Sequence, residues 1–151
     1  MQIDWTLKKF SELTPYEVYQ ILQLRNEVFV VEQNCVFQDA DDKDQESYHL
    51  QGCWEGKLVA YTRIVPPGVI YEEASIGRVI TSPSIRKKSA GKQLMEKSIE
   101  ALYSVCGIGP IKIGAQLYLR NFYQSFGFVQ ISDAYLEDGI PHIYMLKEAL
   151  S

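Results

Sequence analysis

Between Gly77 and Met95 the chain reads GRVITSPSIRKKSAGKQLM, and four cations, Arg86, Lys87, Lys88 and Lys92, crowd the junction of a strand-like run and a helix-like one. The chemistry such a junction suits is anion binding. A helix leaves the N–H groups of its first turn unpaired, and its dipole favours negative charge at that end. A turn through Ser89, Ala90 and Gly91 aims further amides at the same spot, and Gly91 permits close approach. A solvated basic loop ahead of a surface helix is the plain alternative for the same residues. Neither standard nucleotide motif fits. A P-loop needs glycine where Arg86 stands and Ser or Thr where Gln93 stands. Gly107-Ile108-Gly109 runs through Pro110 into a strand and lacks the third glycine of a dinucleotide fingerprint.

A second residue out of place is Arg25. At helical spacing it falls within the apolar stripe of Val18, Leu22, Val28 and Phe29. It is either paired internally, with Glu32 as a candidate partner, or turned to a cleft where it meets substrate. The acidic run DADDKDQE, residues 39–46, fails as an EF-hand at Lys43, Asp44 and Leu50. It reads as a solvated loop that, beside an acceptor site, would favour a cationic substrate. No metal is expected.

Several elements must position these groups. IDWTLKKF reads as a first strand. Thr14 and Glu17 form a capping box, with Pro15 at the first helical position, for a helix continuing through Phe29. Ser47–Trp54 and Lys57–Val65 are strands joined at Glu55-Gly56. Ser75–Ser82 is the next strand, stopped by Pro83. A helix spans Ala90–Cys106, followed by a strand at Ile111–Gln116. A short helix covers Tyr118–Phe126 and closes at Gly127. Phe128–Ile131, a loop with Asp138-Gly139, and a last strand His142–Lys147 complete the order. The fold class is α+β: a mostly antiparallel sheet flanked by helices, with one parallel pair on either side of the helix at 90–106.

The chain has 151 residues, 46% hydrophobic and 23% charged, with net charge −4. No repeat, linker or low-complexity tract divides it, so a single domain over 1–151 is expected. The acidic balance argues against general nucleic-acid binding. No apolar run approaches a membrane span, and the start has no signal-peptide core. Three cysteines without a CxxC pair argue against a disulfide framework or a zinc cluster, and for a cytoplasmic protein. An open sheet edge leaves room for a homodimer.

The segment Pro83 to Gly91 resembles motif A of the GNAT superfamily of N-acetyltransferases. In that motif a strand and a proline lead to Arg/Gln-x-x-Gly-x-Gly/Ala at the mouth of a helix. Arg86, Lys87, Lys88, Ser89, Ala90 and Gly91 fill the loop positions, with Ser89 in place of the first glycine. FYQSFGF, residues 122–128, is similar to the family's Tyr-x-x-x-Gly-Phe signature. RNEVFVVEQNCVFQDADDKD, GRVITS, GAQLYLRNFYQSFGF and EDGIPHIYM are closer to one branch, the ElaA type, over nearly the whole chain.

The resemblance implies the GNAT fold and acetyl transfer from acetyl-CoA to an amine. It implies that residues 86–92 (Arg86, Lys87, Lys88, Ser89, Ala90, Gly91 and Lys92) hold the coenzyme diphosphate. It further implies that Val79, Ile80 and Thr81 pair with the pantetheine arm as an added strand would. Tyr123 falls where the family commonly protonates the leaving thiolate, and Gln116 where relatives carry an asparagine on the cofactor. Asn121 is a neighbouring polar candidate, and both amides could equally cap backbone groups. Many relatives place a glutamate base before motif A. Here Arg78 stands in that region; it cannot act as base but can hold an acidic substrate or an ion-paired carboxylate. Glu32 and His142, both in ElaA-like segments, are the candidate bases. An imidazole, titrating at about 6.5 when unperturbed, suits proton transfer near neutrality; a strand-end histidine satisfied by a carbonyl is the alternative. The leading expectation is therefore an acetyl-CoA-dependent N-acetyltransferase. A non-catalytic acyl-CoA-binding module and an acyltransferase using another donor stand as alternatives.

Overall fold

The computed structural model describes residues 1–86 and 89–149. Four antiparallel strands form the first sheet in the order β1 (Asp4–Lys9), β2 (Tyr48–Trp54), β3 (Lys57–Val65) and β4 (Ser75–Thr81). Both faces of β3 are buried, which its near-continuous apolar run requires. Ala60, Thr62 and Ile64 face helix α2 (Ala90–Cys106); Thr62 and Ser98 share a buried hydroxyl bond of 2.8 Å. Tyr61 packs on the opposite side with Ile21 and Leu24 of helix α1 (Pro15–Arg25).

The start of α1 follows from its sequence. The Thr14 side chain accepts from the Glu17 N–H at 3.1 Å, and Glu17 accepts from the Thr14 N–H at 2.9 Å. The expected continuation to Phe29 is different in kind. Regular α-helix ends at Arg25, and Asn26–Glu32 coils on as π-helix. The wider coil carries Glu32 and Gln33 over the sheet edge, where π-turns often serve function.

A second sheet has the order β5 (Ile111–Gln116), β8 (Ile140–Lys147), β6 (Val129–Gln130), with β7 (Tyr135–Glu137) also paired to β8. The expected loop before the last strand is instead a hairpin. Asp138 and Gly139, with φ of 52° and 77°, make its two-residue turn, and β8 begins at Ile140 rather than His142. Helix α3 (Arg120–Gln124) lies between β5 and β6.

The two sheets touch where β4 and β5 begin, through a parallel bridge of Ala74 to Ile111 and a 2.9 Å bond from the Lys112 N–H to the Ala74 carbonyl. Beyond that bridge no ladder joins them among the described residues, and the strands part. Met95 and Leu102 of α2 pack with Ile76, Ile111 and Ile113 behind the split. Its front stays open.

Candidate active site

The parting of β4 from β5 opens a cleft of about 890 Å³. One wall is β4 from Ile76 to Thr81, and the other is β5 from Ile113 to Gln116 together with Tyr123 and His142. Val79, Ile80 and Thr81 line it, so the edge of β4 turned from β3 has main-chain groups available to a ligand.

One extra residue bulges β4 at this point. Two steps on β3, from Arg63 to Tyr61, answer three on β4, from Gly77 to Ile80. The bulge reverses the strand's facing: Ile76 packs with the α2 cluster, but Ile80 with the α1 cluster. Arg78 sits in the bulge with φ of 52°, a conformation rare for a residue with a Cβ, and its side chain lines the cleft.

At one end of the cleft Arg86 follows the turn Pro83–Ile85, which the Ser82 hydroxyl caps. The expected basic cradle is described here only in part, since Lys87 and Lys88 lie outside the described residues. Ser89 adopts the left-handed conformation, φ 57°, at the N-cap of α2. That geometry gives the family's glycine at this position its physical reason. The N–H groups of Ala90, Gly91 and Lys92 open the helix, and the first-turn amides of a helix lack an intrahelical acceptor. A Cβ on Gly91 would make ordinary contact with the Phe122 ring at 3.7 Å, so Gly91 spaces α2 from α3 without strain.

Arg86 already has a partner. Both Glu32 oxygens accept from its guanidinium at 2.7 Å, and the Thr81 carbonyl accepts at 3.2 Å. The hydrogen bonds from Arg86, against a smaller cost of burial, hold the Glu32 carboxyl below its ordinary value. A carboxylate tied at both oxygens is a poor proton acceptor. Beside it, Gln116 donates to the Gln33 side chain at 3.3 Å, so two bridges from the π-turn span the cleft.

His142 is buried on β8, where it pairs in register with Gln116 of β5. Its Nδ1 lies 2.7 Å from the Ile140 carbonyl, which can only accept, so Nδ1 carries the proton. Its Nε2 lies 3.4 Å from Glu137 Oε2. Tyr135 stacks on the imidazole, with ring centroids 5.9 Å apart. Tyr123 is buried against Phe122 and Phe128 at the cleft wall. Burial first, and Tyr118 second, push its phenol upward, so it stays protonated at neutral pH. Asn121 is exposed on α3 and does not line the cleft.

Arg25 is not at the cleft, and its partner is not Glu32. Its side chain is 1% exposed and bonds Asp39 at 2.7 Å and Asp44 at 2.8 Å. Within the acidic loop Asp39, Asp41 and Asp44 are paired with arginines, Asp42 and Glu46 are exposed, and Asp41 borders the cleft. The residues that sequence reasoning missed are Gln33, Asp41, Glu137 and Asp138, all bordering the cleft. For the last two, Asp138-Gly139 was the available signal, being a preferred hairpin dipeptide.

The fold that splays a bulged β4 from β5 is that of the acyl-CoA N-acyltransferases. Residues 14–149 match the acetyltransferase (GNAT) domain family, and the chain belongs to it. It is 45% identical over 150 residues to protein ElaA of Escherichia coli strain K12, covering 98% of each chain. The crystal structure of Escherichia coli ElaA superposes with a TM-score of 0.91 at 44% identity, over 97% of this chain and 100% of that one. An acyl-CoA N-acyltransferase from Pseudomonas aeruginosa gives 0.92 at 40% identity, over 97% and 99%.

Proposed function

We propose that the chain is an N-acetyltransferase that moves the acetyl group of acetyl-CoA directly to an amine. The observation that carries the reading is the splay of β4 from β5 beyond the Ala74–Ile111 bridge, which leaves a strand edge beside a cleft. The diphosphate would rest on the first turn of α2, with Arg86 and the basic turn supplying positive charge. The pantetheine amides would pair with β4 at Val79–Thr81. Main-chain N–H groups at the bulge would face the carbonyl oxygen as its charge develops.

The proton balance assigns the side chains. The acceptor ammonium gives a proton to Nε2 of His142, with Glu137 at 3.4 Å to steady the imidazolium. The freed nitrogen forms the new C–N bond, the C–S bond breaks, and Tyr123 protonates the departing thiolate. The second proton lost by the nitrogen restores Tyr123 through solvent in the cleft. Glu32 serves the cofactor end through Arg86 rather than acting as base.

Among the described residues no helix is long and apolar enough to cross a membrane. Three free cysteines suit a reducing compartment, and we assign the protein to the cytoplasm. The test is release of free CoA thiol from acetyl-CoA with an amine panel, alongside calorimetry with CoA. Binding together with acceptor-dependent release supports transfer. Binding without release across the panel would favour an acyl-CoA module, and absence of binding would sink both.

A further inference from the structure

Three arginines and three aspartates close into a ring beside the cleft. Asp39 takes Arg25 Nε at 2.7 Å and Arg78 Nε at 2.8 Å. Asp41 takes Arg63 Nη1 at 2.7 Å and Arg78 Nη2 at 3.5 Å. Asp44 takes Arg63 Nη1 at 2.9 Å and Arg25 Nη1 at 2.8 Å, which completes the circuit. Formal charges cancel. The side chains of Arg25 and Arg63 are 1% and 2% exposed, against 23% for Arg78 and 31% for Asp41. The longest link of the ring is therefore also its most open one, and it borders the cleft.

The ring fixes Arg78 in place. Asp39 receives its Nε, and the Asp39 carbonyl receives Nη2 at 2.8 Å, so one edge of the guanidinium is held by a buried residue. Its Nη1 has no partner among the described residues. A left-handed arginine in a strand is strained, and here the bulge aims it at the cleft. A planar cation held at one side, with donors left on the other, is a carboxylate receptor.

The remaining charges of the cleft support one kind of guest. Arg86 is taken by both oxygens of Glu32, and Asp41 by Arg63. Arg78 on the β4 wall is paired with Asp39 and Asp41 but keeps its Nη1 donors without a partner among the described residues, and exposed Glu137 and Asp138 lie at the β7–β8 turn on the His142 side. Resting on the acetyltransferase reading above, we propose that the acceptor is an amine that carries its own carboxylate, an amino acid or a close analogue. Its carboxylate binds Arg78, and its amine lies toward His142 and Glu137. A diamine would gain Glu137 but offer no acceptor to the Nη1 donors of Arg78.

The test uses matched acceptors on the intact protein: common α- and ω-amino acids, their carboxamides, and the corresponding amines without the carboxyl group. CoA release should show kcat/KM for the carboxylated member roughly 10- to 100-fold above its two partners, the range expected for hydrogen bonds to a charged group. In Arg78→Gln that advantage should shrink to a few-fold, while calorimetry gives CoA affinity as in wild type. The wild-type comparison stands even if the variant misfolds. Turnover confined to carboxamides and plain amines, or none with any carboxylated member by a protein that binds CoA, overturns the proposal. An equal loss for all three members in a folded Arg78→Gln also overturns it. Failure to bind CoA at all would overturn the acetyltransferase reading itself, and this inference with it.

Discussion

Glu32 and Arg86 meet at the edge of the cleft as a two-pronged ion pair, each carboxylate oxygen 2.7 Å from its guanidinium nitrogen. If Arg86 binds the diphosphate as proposed, the Glu32 carboxylate competes with it for the same guanidinium. Both side chains are well exposed, 38% and 40%, so the pair is weak in net energy and exchangeable.

Glu32→Gln should therefore tighten CoA binding by a few-fold at low ionic strength, and the gain should fade as salt screens the site. Calorimetry at two salt concentrations measures it. The same variant tests the proton path: turnover at saturating acetyl-CoA should stay within a few-fold of wild type. A collapse of turnover with unchanged affinity would make Glu32 the base after all.

Tyr123→Phe removes a hydroxyl at the cleft wall that burial keeps protonated. Turnover should fall by about one to three orders of magnitude, with CoA affinity unchanged. Phenylalanine keeps the packing against Phe122 and Phe128, so the melting temperature should hardly move. Wild-type turnover would take Tyr123 out of the chemistry.

His142→Gln deletes the imidazole Nε2 but leaves an amide able to bond the Ile140 carbonyl. Turnover should drop by about two orders of magnitude or more, with CoA affinity unchanged. A rise in the acceptor KM with kcat near wild type would mean that His142 positions the acceptor and another group takes the proton.

How much of this was legible in the chain differs from element to element. The bounds of α2 agree at both ends with Ala90–Cys106, because apolar periodicity stops where Gly107 begins a new course. The β2–β3 hairpin was equally plain from Glu55-Gly56 between two strand-like runs. The π-turn was not legible, since Val28 to Val31 suits an α-helix as well as a wider coil. Arg25 was conspicuous in its apolar stripe, yet its partners lie 14 and 19 residues away on a loop that local pattern cannot place. The bulge was hidden for a related reason. Nothing marks Arg78 for a left-handed conformation except long-range contacts with Asp39 and Asp41. Tyr135–Glu137 was missed through weighing Asp138-Gly139 as a loop and not as a hairpin turn.

The aspartate ring should also leave a mark on acid stability. Burial alone would raise the Asp41 carboxyl, but bonds and charge from Arg63, then Arg78, outweigh it and bring the group from 3.8 down to about 2. A carboxyl depressed in the folded state adds stability that is fully present above its unfolded value and is lost as pH falls through the folded one. For Asp41 that window runs from pH 3.8 down to about 2. Asn cannot titrate, so Asp41→Asn should sit below wild type by a constant gap at neutral pH, on the order of 1 kcal/mol once the 31% exposure of the side chain is discounted. Below pH 3.8 the gap should narrow, and near pH 2 it should close. Urea unfolding at a series of pH values measures both curves under one set of conditions. A gap that stays constant to the acid end would assign the effect of the substitution to packing, and the charge on Asp41 would then contribute nothing to holding the loop.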